Sequence, residues 1–157
     1  MQNIVSPIDL ADPRDEVATT DDAKALIALY DRTVDSMKGY TKMVEKAEPS
    51  FRDTAEQFRA LHARHAHGLA RILADLGIEA VGDGSIMGAV NQTVVAFRAF
   101  FDDIDEDVMD QVRSGENWVL KAFDEAITEQ RGALPAVKLN EMHAELTALL
   151  AETRHLG

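Results

Sequence analysis

Hydrophobic residues recur along most of the chain at intervals of three and four positions, which is the spacing of amphipathic helices. No segment shows the alternation of apolar and polar residues that marks a strand. We therefore expect an all-α protein. The pattern predicts five helices, near residues 21–47, 51–76, 86–101, 105–130 and 136–155.

Residues that favour helix termini separate these segments. Thr19 or Thr20 is predicted to cap the first helix, Ser50 the second and Ser85 the third. The third predicted helix is the shortest, at ~24 Å, which is long enough to carry the chain back along a bundle. We therefore expect the helices on either side of it to run parallel, as in ferritin-like bundles rather than in a simple up-and-down arrangement.

The length of 157 residues suits one domain that buries its own core. Residues 1–19 contain Pro7 and Pro13 and show no apolar period, so they predict a flexible N-terminal arm. Residues 20–157 then form the four-helix-bundle domain.

Charge and composition exclude several classes of protein. The 28 acidic residues outnumber the 16 basic ones, and the net charge of −12 disfavours binding to nucleic acid. No apolar run approaches the ~20 residues of a membrane span, and no signal peptide is visible. A cytoplasmic location is therefore expected. The absence of cysteine excludes thiol catalysis and cysteine-ligated metal sites.

A glutamate interrupts the apolar face of the fourth predicted helix. Glu116 lies between Val112 and Val119 on that face, and a glutamate is almost never fully buried unless it is paired. It is either a metal ligand or a structural carboxylate that neighbouring helices satisfy. The candidate partners are His62, His65, Tyr30, Tyr40 or a metal ion.

Two histidines share one face of the second predicted helix. His65 lies on the apolar stripe, and His62 precedes it by one turn. Imidazoles at this spacing bind transition metals, although a core histidine with one hydrogen-bond partner is the alternative. The predicted ligand layer at mid-bundle height consists of Asp35, His62, His65, Glu116 and His143, for a divalent transition metal such as iron, zinc or manganese.

Four segments between about residues 25 and 150 together resemble an uncharacterised bacterial family of ferritin-like four-helix bundles, a domain of unknown function. The segments are LYDRTVDSMKGY at 29–40, LADLG at 73–77, GSIMGAVNQ at 84–92 and RSGENWVLKAFDEAI at 113–127. The resemblance implies a helical crossover between the second and third bundle helices, and it supplies no reaction. His62 and His65 depart from the residue types expected in the family, so a site that uses them is specific to this chain.

A ferritin-like di-iron centre needs a Glu-x-x-His pair on each of two helices. The second predicted helix has none, and Glu152 with His155 lies in the last turn of the chain. The full ligand set is absent, so ferroxidase activity is not expected.

Two functions remain. The first is a ferritin-like bundle with a minimal or degenerate metal site. The alternative is a non-catalytic interaction or assembly module with a protein partner. A histidine phosphotransfer domain is disfavoured, because His65 faces inward and no lysine accompanies it. A homodimer is expected in either case, because the shortest predicted helix has a second apolar face formed by Ala89, Val95 and Phe100.

Overall fold

The computed structural model of the chain describes residues 21–80 and 104–157. These two segments contain no strand, only one isolated bridge between Ala47 and Ile104, and the all-α prediction is confirmed for them. They form four helices, α1 (Asp21–Lys46), α2 (Pro49–Asp75), α3 (Met109–Glu129) and α4 (Leu134–Glu152), with a 3-10 turn (Glu106–Val108) directly before α3.

The observed helix boundaries lie within four residues of those predicted, but one predicted cap is wrong. Glu48, not Ser50, occupies the N-cap of α2, and its side chain makes no capping hydrogen bond. The helix begins at Pro49, because proline has its φ angle already set for the first helical position and lacks the N–H that would stay unpaired there. Before α3, the side chain of Asp105 accepts a hydrogen bond from the amide of Asp107, at 2.9 Å.

Several predictions fall outside the described residues. The predicted arm at 1–19, the caps at Thr19, Thr20 and Ser85, and the crossover helix at 86–101 all lie there. The apolar face expected to mediate dimerisation belongs to that same crossover segment. These expectations therefore stay predictions.

The helices pack with antiparallel neighbours. The two-residue link after α1 reverses the chain into α2, and the amide of Glu48 donates to the carbonyl of Ile104 at 2.9 Å. This contact places the chain before α3 beside the start of α2, so α2 and α3 run parallel, as expected. With 27 residues, α2 is ~40 Å long. The chain between Ile78 and Ile104 therefore connects opposite ends of the bundle.

Each helix packs on two of the others. α1 contacts α2 and α3, and α4 contacts α3 and α2, so α2 and α3 face each other across one diagonal of the core. No helix of the described segments is long and apolar enough to cross a membrane. The largest fully buried side chains are Leu26, Leu29, Phe51, Phe58, His62, Leu69, Leu73, Met109, Glu116, Phe123, Leu139 and Leu146. Two of these twelve, His62 and Glu116, are polar.

An arginine of α3 holds the end of α4. Arg113 Nη2 donates to the backbone carbonyls of Thr153, at 3.4 Å, Arg154, at 3.3 Å, and Leu156. Carbonyls at a helix C-terminus lack partners within the helix, and a cation there is favoured by the helix dipole. Arg113 therefore closes the α3–α4 pair at one end of the bundle.

Replacing Arg113 should destabilise the fold. We expect Arg113→Ala to lower the free energy of unfolding by about 1–2 kcal/mol, because hydrogen bonds from a charged donor are lost. Urea denaturation measures the change. Arg71→Ala, at an exposed position of α2, removes the same charge and should have a smaller effect. Equal losses in the two variants would show that net charge, and not the contact with α4, is responsible.

Candidate functional site

A polar cluster lies inside the bundle where three helices meet. Tyr40 of α1, His62 of α2 and Glu116 of α3 form it, and we call it the Glu116 cluster. The hydroxyl of Tyr40 donates to Glu116 Oε1 at 2.5 Å. His62 Nε2 lies 2.8 Å from the same oxygen, and it donates when the ring proton is on that nitrogen. Tyr40 and His62, two of the candidate partners of Glu116, thus both contact its Oε1.

Aromatic packing positions the two partners of Glu116. The ring of Tyr40 stacks on Phe58, with centroids 5.2 Å apart, and on His62, with centroids 5.5 Å apart. Phe58 and His62 are one turn apart on α2, so they present a continuous surface to Tyr40. This stack orients the Tyr40 hydroxyl and the His62 ring toward one carboxylate oxygen.

The cluster is almost completely excluded from solvent. The exposed fractions are 3% for Tyr40, 0% for His62 and 1% for Glu116. Glu116 Oε2 and His62 Nδ1 have no hydrogen-bond partner among the described residues. Since most buried polar atoms in folded proteins are paired, these two atoms distinguish the cluster from an ordinary satisfied network.

Tyr40 acts as a neutral hydrogen-bond donor. Burial raises the pKa of Tyr40 well above its usual value of 10.0, and the charge of Glu116 and the hydrogen bond to it raise the pKa further. A phenolate beside the carboxylate would place two negative charges together in a medium of low polarity. The Tyr40 hydroxyl therefore keeps its proton.

His65 lies one turn of α2 after His62, and the rings of the two histidines are in contact. It is 2% exposed, and its ring meets those of His62 and Phe123 edge-on, with centroids 6.5 and 5.8 Å apart. Neither ring nitrogen makes a hydrogen bond within the described segments. Its Nε2 lies 3.6 Å from Glu145 Oε1 on α4, a separation too long for a hydrogen bond.

The environment keeps His65 uncharged. Burial, followed by the nearby His62, lowers the pKa of His65 from 6.5 to about 4. Arg64 acts in the same direction, and Glu145 opposes it. His65 is therefore a neutral imidazole at physiological pH, the form in which histidine binds metals.

Two of the predicted ligands, His143 and Asp35, make no hydrogen bond to Tyr40, His62 or Glu116. His143 pairs with Asp124, with His143 Nε2 3.2 Å from Asp124 Oδ1, and the ring of Phe123 packs between His143 and His65. Asp35 is buried, and burial raises its pKa against the opposing charges of Lys38 and Arg32. The contacts described for Asp35 do not join it to the cluster.

The five predicted ligands thus do not form one metal-binding shell. His62 contacts Glu116 and the ring of His65, whereas His143 pairs with Asp124 and Asp35 Oδ1 has no hydrogen-bond partner among the described residues. Across residues 21–80 and 104–157, no group of three or more His, Asp or Glu side chains is arranged to hold a metal ion.

Sequence reasoning did not identify Glu145. It precedes Leu146, a fully buried residue of α4, and its side chain is 46% exposed. A charged residue next to an apolar stripe is ordinary for a surface helix, so nothing in the pattern of α4 marks it. Its role depends on facing His65 of α2, which only the packing of the two helices reveals.

His65 should make the stability of the metal-free protein depend on pH. Between pH 6.5 and 4 the unfolded chain binds a proton at this histidine and the folded chain does not. The free energy of unfolding therefore falls as pH falls through this window, by about 3 kcal/mol in all from His65. Urea denaturation of wild type and His65→Gln at several pH values measures this contribution as the difference between their slopes.

His67→Gln is the matched control, because His67 is exposed on the same helix. It should keep the pH dependence of the wild type. If His65→Gln keeps it as well, the folded protein accommodates a charged His65, and the neutral state described above is wrong.

A family model described as a domain of unknown function (DUF2383) matches residues 21–129. Comparison with curated proteins and with solved structures gives no match. The matched region contains α1, α2 and α3, and with them all three residues of the Glu116 cluster. Because the match covers more than half of the chain, the protein belongs to the DUF2383 family.

Proposed function

We propose that this chain is a ferritin-like bundle that binds one divalent transition metal ion, such as iron, zinc or manganese, beside Glu116. Glu116 and His65 are the proposed ligands, and His62 and Tyr40 hold Glu116 in position. The observation that carries the proposal is the concentration of buried ligand atoms without hydrogen-bond partners at this one place in the described core.

The packing of the helices supports the ferritin-like part of the proposal. α2 and α3 run parallel, every packed pair of helices is antiparallel, and a long connection joins Ile78 to Ile104. Ferritin-like bundles combine these features, whereas an up-and-down bundle has short links throughout. We extend the proposal to a helical crossover at 86–101.

The chemistry of the unpartnered atoms supports a metal ligand set. They are the second carboxylate oxygen of Glu116 and both ring nitrogens of His65, with Nδ1 of His62 nearby. Carboxylate oxygens and neutral imidazole nitrogens are the usual protein ligands of iron, zinc and manganese. A bound ion would compensate the charge of Glu116, which is otherwise costly to bury.

The hydrogen bonds on Glu116 also suit this role. Tyr40 and His62 both use Oε1, and they leave Oε2 free for an ion. In metal sites, ligating carboxylates are themselves oriented by hydrogen bonds from residues outside the ligand shell. Because no complete ligand shell is formed in the described residues, ion binding requires the His65 side chain to turn toward Glu116.

The residues of the site favour the binding or sensing of a metal ion over the oxygen-activating reactions of a di-iron centre. A di-iron centre takes carboxylates from all four helices. Here α1 contributes Tyr40, and α2 contributes His62 and His65 at the spacing of a Glu-x-x-His pair, with histidine in place of glutamate. With Glu116 as the one carboxylate of the cluster, the site has too little negative charge to balance two iron ions.

Metal should stabilise the wild-type protein. We expect the melting temperature of chelator-treated protein to rise by about 5–11 °C when Zn²⁺ or Mn²⁺ is added at about 100 times its dissociation constant, because an ion that binds only the folded state stabilises it by about 2.7 kcal/mol. Glu116→Gln and His65→Ala should abolish the rise, and His67→Ala should retain it. Differential scanning calorimetry measures the shift. If saturating metal does not raise the melting temperature of the wild type, the metal proposal is rejected.

The alternative is an interaction or assembly module, and exposed apolar side chains favour it. Trp118 of α3 is 57% exposed, and the Arg32 guanidinium carbon and Lys121 Nζ lie 5.8 and 5.4 Å from its ring centroid. Leu134 and Val137 at the start of α4 are 89% and 61% exposed. Aromatic and arginine side chains are enriched in protein interfaces. This function replaces the first if metal has no effect, with a protein partner or a second copy of the chain as its ligand.

A further inference from the structure

We propose that the N-terminal arm, residues 1–19, docks on the surface around Trp118 of its own chain. This Trp118 surface consists of Trp118 and Lys121 on α3 and of Arg32 on α1. The inference is independent of the metal proposal, and it names an occupant for a surface that the described helices leave open.

An indole ring and two cations form the Trp118 surface. Trp118 is 57% exposed, although tryptophan side chains are highly buried on average. The Arg32 guanidinium carbon and Lys121 Nζ lie 5.8 and 5.4 Å from the centroid of its ring, a distance at which an indole attracts a cation. Since Arg32 comes from α1 and Lys121 from α3, the surface spans the seam between two packed helices.

Arg32 and Lys121 are exposed, and neither makes a salt bridge within residues 21–80 and 104–157. Burial raises the pKa of Asp35 and the charge of Arg32 partly offsets this, but the two side chains form no salt bridge. Other basic side chains of the same segments do pair with carboxylates, namely Lys42, Arg59, Arg64, Arg113 and Lys138. In a chain of net charge −12, two such cations beside one exposed indole mark a place that attracts an acidic segment.

The sequence of the arm carries the complementary groups. Its acidic residues outnumber its one arginine, and they are Asp9, Asp12, Asp15 and Glu16. Aliphatic residues lie before and among them, at Ile4, Val5, Ile8 and Leu10. A segment of this composition can pair with the two cations and cover the indole ring at the same time, as acidic motifs do when they bind basic surfaces.

The arm is long enough to reach the surface from the start of α1. Arg32 lies three turns after Asp21, the first residue of α1, which is ~16 Å along the helix. An extended chain from Asp21 back to Asp12 spans up to ~30 Å. The residues around Asp12 therefore reach Arg32 when the arm turns back along α1.

Covalent linkage favours the arm over a separate molecule. A segment on a short linker has an effective concentration in the millimolar range, so a weak contact is enough to occupy the surface. A second copy of the chain carries the same net charge of −12 and is repelled at long range. The arm is thus the favoured occupant, and any other partner of the Trp118 surface has to displace it.

Acrylamide quenching of fluorescence tests the proposal on the full chain, because Trp118 is the only tryptophan. We expect the quenching constant to rise about twofold when Asp9→Lys is combined with Asp12→Lys, and equally when Ile8→Ser is combined with Leu10→Ser, because a docked segment keeps solvent from the ring face that it covers. The matched control combines Asp53→Lys with Asp75→Lys, since both positions are exposed on α2, diagonally across the core from α3. It should keep the quenching constant of the wild type.

A charge swap tests the pairing between the arm and the two cations. Arg32→Glu combined with Lys121→Glu should raise the quenching constant, because the acidic arm is then repelled. Adding Asp9→Lys and Asp12→Lys to that variant should lower the constant again, because reversing the charge on both sides restores the attraction. Circular dichroism of each variant checks that its helix content equals that of the wild type.

Three results would overturn the inference. An unchanged quenching constant in both arm variants shows that the arm does not cover Trp118. An equal rise in the α2 control shows that net charge, and not docking, is responsible. A quenching constant of the wild type that rises on dilution assigns the surface to a second copy of the chain. With chelator present throughout, none of these results bears on the metal proposal.

Discussion

The carboxylate of Glu116 imposes the strongest constraint on this bundle. A carboxylate that is 1% exposed must be compensated, because burying an unpaired charge costs more than the whole stability of a small domain. Tyr40 and His62 contact one oxygen of this carboxylate from two other helices. The rotation and the height of α1, α2 and α3 are therefore coupled through one oxygen atom, and a slip of any of these helices would leave a buried polar group without its partner.

The pairing of Glu116 through one oxygen also determines which polar atoms of the core are left without hydrogen-bond partners. Because both donors approach Oε1, the second oxygen is left without a partner in the described residues, and His65 lies next in line with a pKa lowered to about 4. The residues that hold the helices together thus also leave a carboxylate oxygen of Glu116 and both ring nitrogens of His65 without hydrogen-bond partners among the described residues. The hydrogen bonds on Glu116 explain why these polar residues are tolerated in an otherwise apolar interior.

The periodicity of the sequence was enough to predict which positions are buried, but not how they are paired. Glu116, His62 and His65 were placed in the core from their positions on apolar stripes, and their burial is confirmed. Tyr40 is one of several candidate partners for Glu116, since Tyr30 and Tyr40 lie ~15 Å apart along α1 and the choice between them depends on the height of α1 against α3. His143 was expected in the same layer, yet the ring of Phe123 separates it from His65 and it pairs with Asp124. Contacts between helices depend on rotation and register, which a periodic pattern does not specify.

The most direct test of this account is the coupling energy between Tyr40 and Glu116 in metal-free protein. A double-mutant cycle with Tyr40→Phe, Glu116→Leu and the combined variant, measured by urea denaturation, isolates the interaction. We expect each single variant to be destabilised and the combined variant to be more stable than the sum predicts, by about 1–3 kcal/mol, because the Tyr40 hydroxyl that Glu116→Leu leaves without a partner is absent from the combined variant. Additive effects within about 0.5 kcal/mol would contradict the account, because the carboxylate would then not depend on the Tyr40 hydroxyl for its place in the core.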